Sequence, residues 1–150
     1  MPARTSDTTP TDTASQLRNA IVRTSRALRQ EAAAETGLSP TQTAALASIG
    51  RCGPLTPSEL AEIERVKRPT MTRTLACLER EGLIDRTPDP ADGRSFLVAV
   101  NDAGRERLAR LRRRKSAYLA RRLRKLDSDE VETLARAAEL LERIREDEQG

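Results

Sequence analysis

The chain has 150 residues, 27 basic against 23 acidic side chains and a net charge of +4, with an isoelectric point near 9.7; this fits one domain with an appended oligomerisation element and permits a polyanionic partner. One Tyr, one Phe and no Trp leave a core of Leu, Ile, Val and Ala, which suits helices, and the absence of His removes the usual general base and the commonest metal ligand together. Cys52 and Cys77 form no CxxC pair, no apolar run approaches the ~18–20 residues of a membrane span, and the N-terminus lacks a signal-peptide core, so the expectation is a reduced, cytoplasmic protein with neither zinc nor membrane attachment.

The opening "MPARTSDTTPTDT" holds no large apolar residue after Met1 and reads as a mobile tail over 1–13. Structure is expected from Ala14. Leu17, Ile21, Thr24, Leu28 and Ala32 then recur at helical spacing until Gly37, a stop signal. "SPTQ" at Ser39–Gln42 places a hydroxyl residue, a Pro at the first helical position and a Gln three after the cap, the pattern of a capping box. "TPSE" at Thr56–Glu59 repeats the device after the breaker "GRCGP", which puts Cys52 in a loop. The second capped helix packs through Leu60 and Ile63.

A further helix follows at once, because Pro69 fits a first turn and not a helix interior. In its register Met71, Leu75 and Leu78 face inward, Arg73, Ala76 and Arg80 face outward, and Thr70, Thr72 and Cys77 flank. Gly82 closes it. "LIDRT" (Leu83–Thr87) and "SFLVAV" (Ser95–Val100) read as two strands around the long loop "PDPADGR". Beyond Asn101, a helix cap, the last third returns to helix and its charge divides. Arg105–Lys125 carries eleven basic residues against Glu106, and Asp127–Glu148 nine acidic residues against three arginines, with "DSDE" at Asp127–Glu130 supplying the break. Both segments hold apolar stripes, so they pair with each other or with a second subunit.

Two short helices joined by a tight turn, the second presenting Arg73 and Arg80 opposite its apolar face, then a two-stranded wing, is the order of a winged helix-turn-helix. A helix fits the major groove and a basic loop reaches a neighbouring minor groove. The fold class expected is mainly α with a small two- or three-stranded β wing. The expected organisation is a first dimerisation helix over 14–38, the winged DNA-binding region over 39–100 and C-terminal dimerisation helices over 101–150.

The string Glu59–Leu108, above all "RPTMTR…LEREGLIDR…DPADGRS", resembles the MarR (multiple antibiotic resistance regulator) family of winged-helix transcription factors. The resemblance implies a cytoplasmic homodimer with interlocking terminal helices, binding pseudo-palindromic double-stranded DNA as a repressor and releasing it when a small, often phenolic, organic ligand binds; the sequence itself offers no nucleophile–base pair, phosphate loop or metal cluster, so neither catalysis nor a cofactor is expected. By the same matching, Thr70, Thr72 and Arg73 fall near the start of the recognition helix beside Pro69, with Lys67 and Arg68 as phosphate contacts. Asp92, Gly93, Arg94 and Ser95 form the wing site, where the Asp92 carboxylate, two positions from Arg94, is expected to hold that guanidinium in one pose for the minor groove. A ligand crevice would be lined by the first, second and fifth helices. Two departures stand out: Arg65 replaces the Gly often found in the turn, and Lys67 replaces the Ser that often caps before Pro69.

Two rivals remain open from the sequence. A thiol-switched regulator resembling the peroxide-sensing branch of the MarR family would carry its reactive Cys near the start of the first helix, where this chain has none, although Arg73 and Arg80 lie one turn from Cys77. A non-specific nucleoid-binding protein would use Arg105–Lys125, which the acidic segment that follows is placed to neutralise.

Overall fold

A computed structural model describes residues 9–146. Helix α1 (Pro10–Thr36) starts four residues ahead of Ala14, so residues 10–13 are helical and not part of a tail; residues 1–8 lie outside the described residues. The reason is local. Thr9 Oγ1 accepts the N–H of Asp12 at 3.2 Å and Pro10 sits in the first turn, the same device as at the two expected caps, with an Asp favoured at the positive helix end. Gly37, at φ 65°, ends α1 as expected.

Helix α2 (Pro40–Cys52) opens on the expected box: Ser39 Oγ accepts from the Gln42 N–H at 3.2 Å and Gln42 Oε1 accepts from the Ser39 N–H at 2.9 Å. It runs through Gly50 and Arg51, so Cys52 is its last residue and exposed rather than in a loop. The break comes at Gly53, φ 81°. Gly50 serves packing instead of breaking: a Cβ there would meet Leu108 Cδ1 at 2.7 Å. Helix α3 (Pro57–Ile63) carries the second box, in which Glu59 accepts from the Thr56 N–H and hydroxyl. Those bonds, the backbone one foremost, hold the Glu59 carboxyl below its ordinary range.

The turn after α3 adopts a left-handed residue even without glycine: Arg65 has φ 52°. The Val66 N–H reaches Ala61 O at 3.0 Å and the Arg65 N–H reaches Glu62 O at 3.1 Å, satisfying the last carbonyls of α3 while Val66 packs on the core. That closure offsets the roughly 1–2 kcal/mol that a Cβ costs in this region.

Helix α4 (Arg68–Arg80) follows, then strands β1 (Ile84–Pro88) and β2 (Phe96–Val100) in antiparallel register from Ile84 opposite Val100 to Pro88 opposite Phe96. The sheet has two strands, and Leu55 adds a bridge to Val98 through hydrogen bonds of 3.1 and 2.8 Å. Asn101 caps helix α5 (Asp102–Leu123) by accepting the Gly104 N–H at 3.0 Å. Asp127 and Glu130 exchange backbone N–H bonds at the start of helix α6 (Ser128–Glu146).

The chain divides into two compact units, Met1–Lys115 and Ser116–Gly150. The first holds the core, in which Leu46, Ile49, Leu60, Met71, Leu75, Leu78 and Val98 are fully buried. Gly104 lets α5 lie against the start of β1, where a Cβ would stand 2.1 Å from the Leu83 carbonyl oxygen. Part of the basic segment of α5 is engaged by α1: Arg107 donates to Thr36 O at 2.9 Å, and Arg114 pairs with Glu31 and Glu35 at 3.2 and 3.1 Å. In the second unit, Arg122 covers the Tyr118 ring, α6 pairs Arg136 with Glu139 and Arg145 with Glu142, and no described residue of α6 is buried. Among the described residues no helix is long and apolar enough to cross a membrane.

Candidate nucleic-acid interface

Helix α4 splits into two faces as its register requires. Met71, Thr74, Leu75 and Leu78 are buried, while Thr70, Thr72, Arg73, Ala76 and Arg80 are exposed. Thr74 was not among the expected inward residues; its hydroxyl is accommodated by donating to Thr70 O at 2.9 Å. At the helix start Lys67, Arg68 and Pro69 are all exposed. Lys67 offers no side-chain acceptor, so the first N–H groups of α4 carry no side-chain cap, and the positive helix end faces outward beside two cations.

The wing differs in one respect from expectation. Asp92 Oδ1 accepts the backbone N–H of Arg94 at 3.0 Å, and the Ser95 N–H reaches Asp92 O at 3.0 Å, closing a tight turn over Asp92–Ser95. Among the described residues no ion pair joins Asp92 to the Arg94 guanidinium. The segment is therefore a turn, not an extended run with residues i and i+2 on one face. An Asp side chain reaches the N–H two residues ahead more readily than a mobile guanidinium. Asp92, Gly93 and Arg94 are exposed and Ser95 is half-buried.

Sequence reasoning missed Arg86. Its Nη2 lies 2.9 Å from Glu79 Oε2 on α4, and its Cζ stands 3.8 Å from the centre of the Phe96 ring. The register explains the stack: Arg86 is opposite Val98, which makes Phe96 its diagonal neighbour on the same face. The signal available in the sequence was Arg86 two positions after Ile84, on one strand face, with Phe96 the only phenylalanine of the chain. Arg86 and Arg68 both line a hollow of about 280 Å³ with Ser58 and Thr72. Cys77 is half-buried and accepts a bond from Arg80 Nη2 at 3.3 Å. A separate cleft of about 500 Å³ lies between α2 and α5 in the first unit.

A capped α3, a tight turn, an α4 with one face buried and one exposed, and a two-stranded wing beside it define a winged helix-turn-helix protein. A sequence model of the MarR family matches residues 38–96. The chain is 40% identical over 128 residues to an HTH-type transcriptional regulator of Mycobacterium leprae, covering 85% of this chain and 89% of that one. It is 36% identical over 98 residues to the multiple antibiotic resistance protein MarR of Salmonella typhimurium, covering 65% and 68%. A transcriptional regulator of Pseudomonas aeruginosa superposes with a TM-score of 0.75 at 33% identity, covering 89% of this chain and 92% of that one. The chain belongs to the MarR family of DNA-binding, helix-turn-helix transcriptional regulators.

Proposed function

We propose that the protein is a homodimeric repressor that holds a pseudo-palindromic operator and leaves it when a small organic ligand binds. The carrying observation is the exposed face of α4, with Thr70, Thr72 and Arg73 clear of the core and Lys67 and Arg68 at an uncapped helix end. On this reading Arg73 donates two bonds to a guanine edge, Lys67 and Arg68 neutralise phosphates, and Arg94 enters the minor groove from the turn that Asp92, Gly93 and Ser95 build.

The dimer reading rests on apolar side chains left uncovered in one copy. Ile21 and Val22 on α1 are 43% and 58% exposed, and Leu134 and Ile144 on α6 are 48% and 60% exposed. A second copy covers them, and two copies then present two α4 helices to two half-sites. The ligand reading rests on the α2/α5 cleft, where Arg51, Arg105, Arg112 and Lys115 surround Leu108 and Leu111 and favour an anion with an apolar body. The expected contribution of the first helix to that crevice is absent from its lining. Sedimentation and footprinting of the full chain test the proposal together. We expect a dimer at micromolar concentration protecting two half-sites about one helical turn apart; a monomer, or protection without two-fold spacing, would refute it.

A further inference from the structure

Two polar side chains are buried among the described residues, Ser48 and Thr74. Thr74 is satisfied within its own helix. Ser48, 3% exposed on α2, is not: its hydroxyl donates to Glu64 Oε1 at the end of α3 and accepts from Arg51 Nη2 at 3.2 Å. A serine hydroxyl has one proton, so giving it to Glu64 leaves the oxygen turned to accept from Arg51. The three groups thus form one oriented chain.

Its two ends lie at different places in the fold. Arg51 lines the α2/α5 cleft with Arg105, Arg112 and Lys115, three like charges that favour an anion there. Glu64 is the cap residue of α3 and immediately precedes Arg65, the one described non-glycine residue with a positive φ, in the turn that leads into α4. A strained residue persists only while its surroundings hold it, and Glu64 is anchored through Ser48.

We infer that Arg51, Ser48 and Glu64 are positioning residues that transmit occupancy of the α2/α5 cleft to the turn that aims α4. A carboxylate in the cleft draws the Arg51 guanidinium into a two-pronged pairing through its Nη2 edge, which swings that nitrogen away from Ser48. The hydroxyl and Glu64 then lose their fixed orientation, the Arg65 turn relaxes, and α4 departs from the pose that fits the groove. This deepens the ligand-release reading and rests on it, but the coupling between the two ends exists without any ligand.

The test uses the full chain and operator affinity in three variants, Arg51→Gln, Glu64→Ala, which removes the oxygen that accepts from Ser48, and the pair. Each single change is expected to weaken binding about fivefold to tenfold, within the usual range of intersite coupling, and the pair no more than either alone, because both break the same chain. Amide exchange at Val66 should accelerate in Arg51→Gln as in Glu64→Ala, which a purely local role for Arg51 on α2 does not produce. Multiplying effects in the pair, or unchanged Val66 exchange in Arg51→Gln, overturns the inference. Benzoate, with a carboxylate for Arg51 and a ring for Leu108 and Leu111, is the ligand probe. It should weaken operator binding in the unmodified chain and leave Glu64→Ala unaffected, although calorimetry still records its binding. Equal weakening in both overturns the relay. No weakening in the unmodified chain counts against the ligand-release reading, while the double-variant result still decides the relay.

Discussion

Arg86 stands 2.9 Å from Glu79 and thereby ties the last turn of α4 to the first strand of the wing, while its stack on Phe96 reaches the second strand. The ion pair is more than a third exposed on both sides, so solvent screening keeps it to about 0.2–1 kcal/mol, with the ring contact adding about 0.5–1 kcal/mol. Arg86→Ala should therefore cost about 1–2 kcal/mol in urea unfolding. Glu79→Gln should cost less, because it leaves the stack on Phe96 in place. Equal costs would show that the ring contact contributes nothing.

The wing turn separates two roles for one aspartate. Since Asp92 works through its oxygen on the Arg94 N–H, Asp92→Asn should keep the turn and operator affinity, whereas Asp92→Ala should loosen the tip and weaken binding severalfold, at an unchanged salt slope. Fluorescence anisotropy at several salt concentrations reads both. If Asn behaves like Ala, the negative charge matters and the turn account is wrong.

Arg73 and Arg94 differ in what they are proposed to read. Arg73→Ala should cost about 1–3 kcal/mol per subunit and relax preference at one base pair in each half-site. Arg94→Ala should weaken binding across sequences and lower the salt slope by up to about 1 per subunit. Selection of bound sequences from a random pool, compared with salt titrations, distinguishes them. A base-specific loss in Arg94→Ala would reverse the assignment of the two arginines.

Two helical glycines predict opposite tolerances. Ala is about 0.8–1.0 kcal/mol better than Gly in a helix interior. At Gly50 the obstacle is a methyl of the flexible Leu108 side chain, which can turn away, so Gly50→Ala should change stability by less than about 1 kcal/mol. At Gly104 the obstacle is the Leu83 backbone oxygen, which cannot, so Gly104→Ala should cost more than about 2 kcal/mol despite the propensity gain. Denaturant midpoints of the two variants settle the comparison.

What the sequence made legible was local. The boxes at Ser39–Gln42 and Thr56–Glu59, the stop at Gly37 and the inward face of α4 each depend on residues within a turn or two of one another, and all appear as expected. The start of α1 was missed because Asp12 stands where the other caps carry Gln or Glu, although the physics of the cap is the same. Gly50 was misread as a breaker because its reason, Leu108, lies on a helix far along the chain. For the same reason no pattern announced that Arg86 would meet Glu79 and Phe96, or Ser48 meet Glu64. The pose of Asp92 failed differently: both candidate partners belonged to Arg94, and spacing alone does not choose between its backbone and its side chain.

The Leu55–Val98 bridge fastens the segment before α3 to the second strand, so α3, α4 and the first strand lie within one non-covalent ring. Strand β2 is thus held on two sides, by β1 and by Leu55, and its place does not depend on the peptide link through the wing tip. A chain nicked by a protease within Pro90–Gly93 would keep its strands seated and its core closed while losing the turn from which Arg94 is proposed to enter the groove. Severed there, the molecule stays folded and gives up only the turn.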